Sequence, residues 1–206
     1  MQWDTLANEN VLQKTIEALK NNGIESLVVD SGEEAKDKVL EILPKNTEVM
    51  TMTSITLETA GIDKAINDSK DYDTVRNKLN KLDRTTQNRQ MQQIGAAPEW
   101  AIGSVHAVTE DGKIVVASNT GSQLSAYVYG AEHVIWVIGT QKLVKNLDDA
   151  MKRIYDYVLP LETQRARKAY NLPDTFHSNV SKLLIINKEI NPKRLTIIFV
   201  KEKLGF

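Results

Sequence analysis

The sequence contains no cysteine. That absence excludes disulfides, thiolate nucleophiles, thiolate-held iron–sulfur clusters and cysteine zinc sites together. Histidine is scarce too: His106, His133 and His177 are the whole supply, far apart in the chain. A catalytic zinc normally takes about three protein ligands, so no metal is assigned. No charge dominates, with 26 Lys and Arg against 27 Asp and Glu for a net charge of -1. A dedicated nucleic-acid binder usually carries a clear basic excess. No apolar run approaches the ~20 residues of a membrane helix. The opening Met1-Gln2-Trp3-Asp4 stretch lacks the basic start and apolar core of a signal peptide. The expectation is a cytoplasmic chain that takes neither nucleic acid nor membrane as partner. The Gly-X-Gly-X-X-Gly fingerprint of nicotinamide sites is missing as well.

What is present fits one α/β domain over residues 1–206. The apolar fraction of 41% and charged fraction of 26% are those of a globular chain. Leu6, Val11, Leu12, Ile16 and Leu19 have helical spacing, with Asp4 as a candidate cap and Asn22-Gly23 as the stop. A strand at Ser26–Val29, a helix from Gly32 to Leu43 and a strand at Glu48–Thr53 follow. This β-α-β order predicts a parallel pairing of the two strands by a right-handed crossover. Residues 65–98 read as a polar, helical insertion, within which 67–93 offers a partner surface. Glu110-Asp111-Gly112 between two β-rich runs marks a hairpin over 104–118. His133–Ile138 is an uninterrupted apolar strand, as expected where both sheet faces are covered. Asn146 caps a helix to Val158, Pro160 opens another, and strands at Leu183–Ile186 and Leu195–Val200 close the chain.

Three polar loops at strand ends are the candidate site. The first is Thr51-Met52-Thr53-Ser54-Ile55-Thr56-Leu57-Glu58, where a strand gives way to a helix whose free N–H groups favour an anion. Taken alone, such a turn is more often plain N-capping, here by Ser54 or Thr56. The second is Ser118-Asn119-Thr120-Gly121-Ser122-Gln123, small enough for backbone to approach a ligand closely. The third is Gly139-Thr140-Gln141-Lys142, which adds a cation. Their convergence would make a pocket of the usual kind. Glu110 is a candidate acid, base or nucleophile, although a turn carboxylate is more often only solvated. His106 and His133 fit packed strand histidines, and Arg165 and Arg167 fit either an anion clamp or surface charges.

The hairpin Ser104–Ser118, the strand and loop His133–Val144 with its Gly-Thr-Gln-Lys-Leu-Val, the following Asn146–Ala150, and Thr53–Gly61 together resemble the LUD domain, the lactate-utilisation family of the LutC/YkgG type. The resemblance implies a mainly parallel sheet flanked by helices, of the NagB/RpiA/CoA-transferase-like kind. It also implies a place in L-lactate oxidation beside iron–sulfur partner proteins, with this chain holding no cluster. Relatives in that larger group bind sugar phosphates or CoA esters at strand-end loops, and its CoA-transferases use a glutamate nucleophile in a Ser-Glu-X-Gly loop. Here the similar loop reads Ser118-Asn119-Thr120-Gly121. An amide cannot form the acyl anhydride that a carboxylate gives, so transfer by that route is disfavoured. Three expectations follow. The chain is an accessory subunit binding a small anion through Thr53, Ser54, Thr56, Ser118, Asn119, Gly121, Ser122, Thr140 and Lys142. Or it is an enzyme acting on a phosphorylated sugar or CoA-like molecule with Glu110. Or it is a non-catalytic assembly module. A homo-oligomer fits each of them.

Overall fold

A computed structural model describes residues 3–206. Met1 and Gln2, which open the stretch read for a leader, lie outside the described residues. In chain order the main elements are α1 (Glu9–Asn21), β1 (Glu25–Val29), α2 (Gly32–Ile42), β2 (Glu48–Thr51), α3 (Ile55–Thr59), α4 (Ile62–Asn67), β3 (Asp73–Thr74), α5 (Val75–Leu79), α6 (Asn88–Ala96), β4 (Trp100–Gly103), β5 (Ala107–Thr109), β6 (Ile114–Ser118), β7 (His133–Gly139), β8 (Leu143–Val144), α7 (Leu147–Arg153), α8 (Leu159–Tyr170), β9 (Lys182–Ile186) and β10 (Leu195–Val200). The protein is α/β: an all-parallel six-stranded sheet flanked by helices, with a smaller four-stranded sheet beside it.

The large sheet runs β1-β10-β7-β4-β2-β3. β7 and β10 take its middle because their side chains are apolar on both faces. Val134, Trp136 and Ile138 of β7 enter one core with Leu195, Ile197 and Phe199 of β10, under Leu12 and Leu19 of α1. Ile135, Val137, Ile198 and Val200 enter the opposite core, under Val39 of α2, Leu57 of α3, and Ile62 and Ile66 of α4. β1 and β2 lie in one parallel sheet, but they are not neighbours as the β-α-β order predicts. β10, β7 and β4 stand between them. β1 buries none of its residues fully, so it suits an edge, whereas the fully apolar strands must be interior.

The small sheet runs β8-β5-β6-β9 and contains the expected hairpin, with β5 and β6 antiparallel. Val108, Ile114 and Val116 face the first core. Ala107, Val115 and Ala117 face Ala150 and Ile154 of the α7 region. Three local expectations are corrected. Asp4 does not cap α1; Asn8 does, accepting from the Val11 N–H at 3.0 Å, while Asp4 pairs with Lys203 at 2.7 Å. The two helices expected around Pro160 form a continuous helical path, joined by one π-helical turn at Ile154–Val158. Pro160 lies just past that π turn, and such turns and prolines are the usual places where a helix path adjusts. Residues 65–98 are not wholly helical, because β3 adds an edge strand beside β2. No helix of the described residues is long and apolar enough to cross a membrane.

Candidate functional site

Parallel strands β2, β4 and β7 deliver their C-terminal ends to one edge of the sheet, where open α/β sheets gather ligands. Thr53 and Ser54 follow β2, Ser104 follows β4, and a single 3₁₀ turn, Thr140–Lys142, follows β7. The turn throws the Lys142 side chain across the strand ends. Its Nζ donates to Thr56 Oγ1 at 2.9 Å and to Ser104 Oγ at 3.1 Å. Lys142 is only 2% exposed. Among the described residues no carboxylate pairs with it. Burial holds its pKa well below the ordinary lysine value, and the nearby Arg153 charge adds to the depression.

Arg153, on the last turn of α7, is completely buried. It donates to the carbonyl oxygens of His106 at 2.6 Å and Trp3 at 3.5 Å, and its guanidinium lies 5.3 Å from the centre of the Tyr157 ring. No carboxylate pairs with it among the described residues, and its Nε has no hydrogen-bond partner. Burial lowers its pKa to about 10. His106 feels both cations, and its backbone carbonyl accepts from Arg153. Its Nδ1 accepts the Ala117 N–H at 3.1 Å, so the neutral ring carries its proton on Nε2 and presents it as a donor. Burial first, then Lys142 and Arg153, push its pKa down to about 3. The site is a cluster of hydrogen-bond donors under positive potential, with no carboxylate paired to either cation among the described residues.

Thr53 is exposed, and Arg76 of α5 lies 3.4 Å from its hydroxyl while donating to Thr51 O at 2.6 Å. Burial lowers the Arg76 pKa from its ordinary value. Ser54 occupies the cap position of α3 without a side-chain cap bond, and Glu58 is exposed on the same helix. Thr56 is buried and donates to Leu204 O at 3.2 Å. Gln141 also donates to Leu204 O, at 2.9 Å. Residues 202–205 thus strap the ends of β7 and α3. Gly139 admits the strap, because a Cβ there would overlap Gln141 Oε1 and come within 2.7 Å of Glu202 O. Thr140 is buried beside it.

Ser118 and its neighbours form a self-contained loop at the end of β6. Ser118 Oγ accepts the Gly121 N–H at 2.8 Å and donates to Gln123 Oε1 at 3.0 Å, Thr120 donates to Ser122, and Asn119 accepts from Ser181. Gly121, at φ +85°, presses on the Lys182 stem, where a Cβ would come within 2.5 Å. Among the described residues no hydrogen bond joins this loop to Lys142. Two of the three expected loops therefore meet at one side chain, and the third connects only through His106 and its bond from Ala117.

Glu110 stands at the turn end of the hairpin, opposite Ser118, and pairs with Lys14 of α1 at 2.7 Å. Arg165 is held by both oxygens of Glu162, and Arg167 by Phe176 O. Ser104, Arg76 and Arg153 were not among the residues expected from sequence. Arg153 carries a legible signal: Ala150, Arg153 and Ile154 share one buried phase of the helix, so a cation there needed an explanation. Among the described residues no group of His, Asp and Glu has the arrangement of a metal site.

The model of the LUD domain family matches residues 12–200. A crystal structure of a DUF162 family protein from Deinococcus radiodurans superimposes with a TM-score of 0.57 at 14% identity, covering 95% of this chain and 99% of that one. At that identity the likeness is one of fold. No curated protein matches the chain. With nearly its whole length accounted for by the family's sequence pattern, the chain belongs to the LUD domain family.

Proposed function

We propose that this LUD domain binds a small organic or phosphorylated anion at the ends of β2, β4 and β7. It would serve as an accessory subunit in organic-acid utilisation of the L-lactate-oxidising kind, with an iron–sulfur partner carrying the electrons. One observation carries this reading: Lys142 and Arg153 are both buried, near enough to repel, and neither has a carboxylate partner among the described residues. Buried cations without a counterion are costly. A bound anion supplies the missing negative charge beside Arg153 and Lys142. The His106 Nε2–H and the Ser104 hydroxyl are neutral donors suited to the remaining oxygens. Ser54, Ser104 and His106 are only partly buried, so the buried amine lies beneath residues that reach solvent.

Thermal unfolding with millimolar lactate, pyruvate, inorganic phosphate and CoA tests the proposal. Binding to the native state alone stabilises by about 2.7 kcal/mol at a hundredfold excess over Kd. One of these anions raises Tm in the wild type, and the increase disappears in Lys142→Met. No shift with any of them refutes anion binding at this site. A shift that Lys142→Met leaves unchanged places the ligand elsewhere.

A further inference from the structure

The shell around Lys142 is chemically specific. Its two partners are hydroxyls, from Thr56 and Ser104. A hydroxyl can accept from an ammonium or donate to an amine lone pair, whereas a carboxylate would lock the charged form. Thr56 directs its own hydrogen to Leu204 O. The Ser104 hydroxyl has no protein partner other than Nζ among the described residues, which leaves its hydrogen free for the nitrogen lone pair. Arg153 adds a fixed positive charge close by. A desolvated amine beside another cation is the arrangement in which lysine acts as a nucleophile toward carbonyl carbon.

We propose that Lys142 is a carbonyl-reactive amine and that the ligand of this site is an oxo acid. Its carboxylate answers the positive potential of Arg153 and the His106 donor, and its carbonyl carbon meets Nζ. The proposal rests on the anion-binding reading above and narrows the ligand class. The Nζ lone pair forms a C–N bond, and the carbonyl π electrons move to oxygen, which takes up a proton. Nitrogen loses a proton, giving a neutral carbinolamine. Departure of the hydroxyl group with one further proton, as water, leaves the C=N bond of an imine. The Ser104 hydroxyl touches Nζ and carries protons between nitrogen and the departing oxygen. No oxidant or further reactant is consumed.

The test is reductive trapping. The full chain is incubated near neutral pH with pyruvate or glyoxylate plus cyanoborohydride, and labelled lysines are located by peptide mass mapping. Lactate, which lacks the carbonyl, is the control. Near neutral pH each unit by which a lysine pKa falls raises the free-amine fraction about tenfold. Lys142 therefore acquires one reduced adduct at least roughly tenfold faster than any exposed lysine, and lactate gives none. Inorganic phosphate, competing for the same positive potential, slows the labelling. Lys142→Met loses the fast adduct; should that variant not fold, the site-by-site rates in the wild type decide alone. Labelling spread over exposed lysines, with Lys142 no faster, overturns the proposal. If lactate and pyruvate both raise Tm yet Lys142 stays unlabelled, the amine is a structural cross-link and only this proposal falls. If no anion shifts Tm and nothing is trapped, both readings fall.

Discussion

Replacing Gly139 by Ala puts a methyl group where β7 meets the strap of residues 202–205. The backbone itself tolerates the change, since Gly139 has φ -65° and ψ 138°, conformations open to any residue. The obstacle is space. A Cβ overlaps Gln141 Oε1 and lies 2.7 Å from Glu202 O and 2.9 Å from Leu204 N. The Gln141 tip can rotate away, but two of the three obstacles are backbone, so the strap must lift. Lifting it weakens the bonds from Gln141 and Thr56 to Leu204 O, each contributing about 1 kcal/mol net. It also exposes part of Leu204, now 1% exposed, whose full burial contributes roughly 2 kcal/mol. The expected loss is about 3 kcal/mol, a large share of a typical folding free energy of roughly 5–15 kcal/mol. Urea unfolding followed by circular dichroism measures it as a lower midpoint at constant slope. Leu204→Ala costs a comparable about 2–4 kcal/mol. Because both substitutions act on one strap, the double variant loses less than the sum. A loss for Gly139→Ala under about 1 kcal/mol, or full additivity, would refute the view that the strap is pinned over the site.

Three further outcomes follow from the charged groups. His106 titrates at about 3 in the folded protein against 6.5 ordinarily, so between those values the unfolded chain binds the extra proton. Its contribution to stability is complete above pH 6.5 and falls on acidification by at most about 1.4 kcal/mol per pH unit; His106→Gln makes that slope shallower in denaturant titrations run at several pH values. Arg153→Met removes a charge that depresses both neighbours, so the His106 ring, followed by NMR, titrates above its wild-type value of about 3. An unchanged titration would mean that Arg153 exerts no field at the site. Arg194 is 7% exposed, pairs with Glu189 at 2.9 Å and donates to the carbonyls of Ala126, Tyr127 and Ala131. Arg194→Met therefore strands a nearly buried carboxylate and costs about 3–5 kcal/mol in urea unfolding.

The sequence by itself determined the class of fold. Strands that are apolar on both faces can only be interior to a covered sheet, so β7 and β10 announce a parallel α/β core through composition alone. Asp111-Gly112 set the hairpin, and Asn146 set the start of α7, because turn and cap chemistry is local. Strand order was not local. The position of β1 at an edge, with three strands between it and β2, followed from which strands must be buried twice. The candidate site divided in the same way. Thr56 and Lys142 were legible as polar residues beyond strands. That Lys142 reaches Thr56 and Ser104, 86 and 38 residues away along the chain, follows only from three parallel strands ending at one edge. Glu110 stood out as a lone carboxylate at a hairpin tip, and the packing of α1 against that tip gave it Lys14. The absence of cysteine excluded thiolate chemistry from the outset. That no carboxylate among the described residues pairs with Lys142 is the property that defines the site, and no pattern along the chain encodes it. It depends on which side chains the fold leaves out of one buried layer.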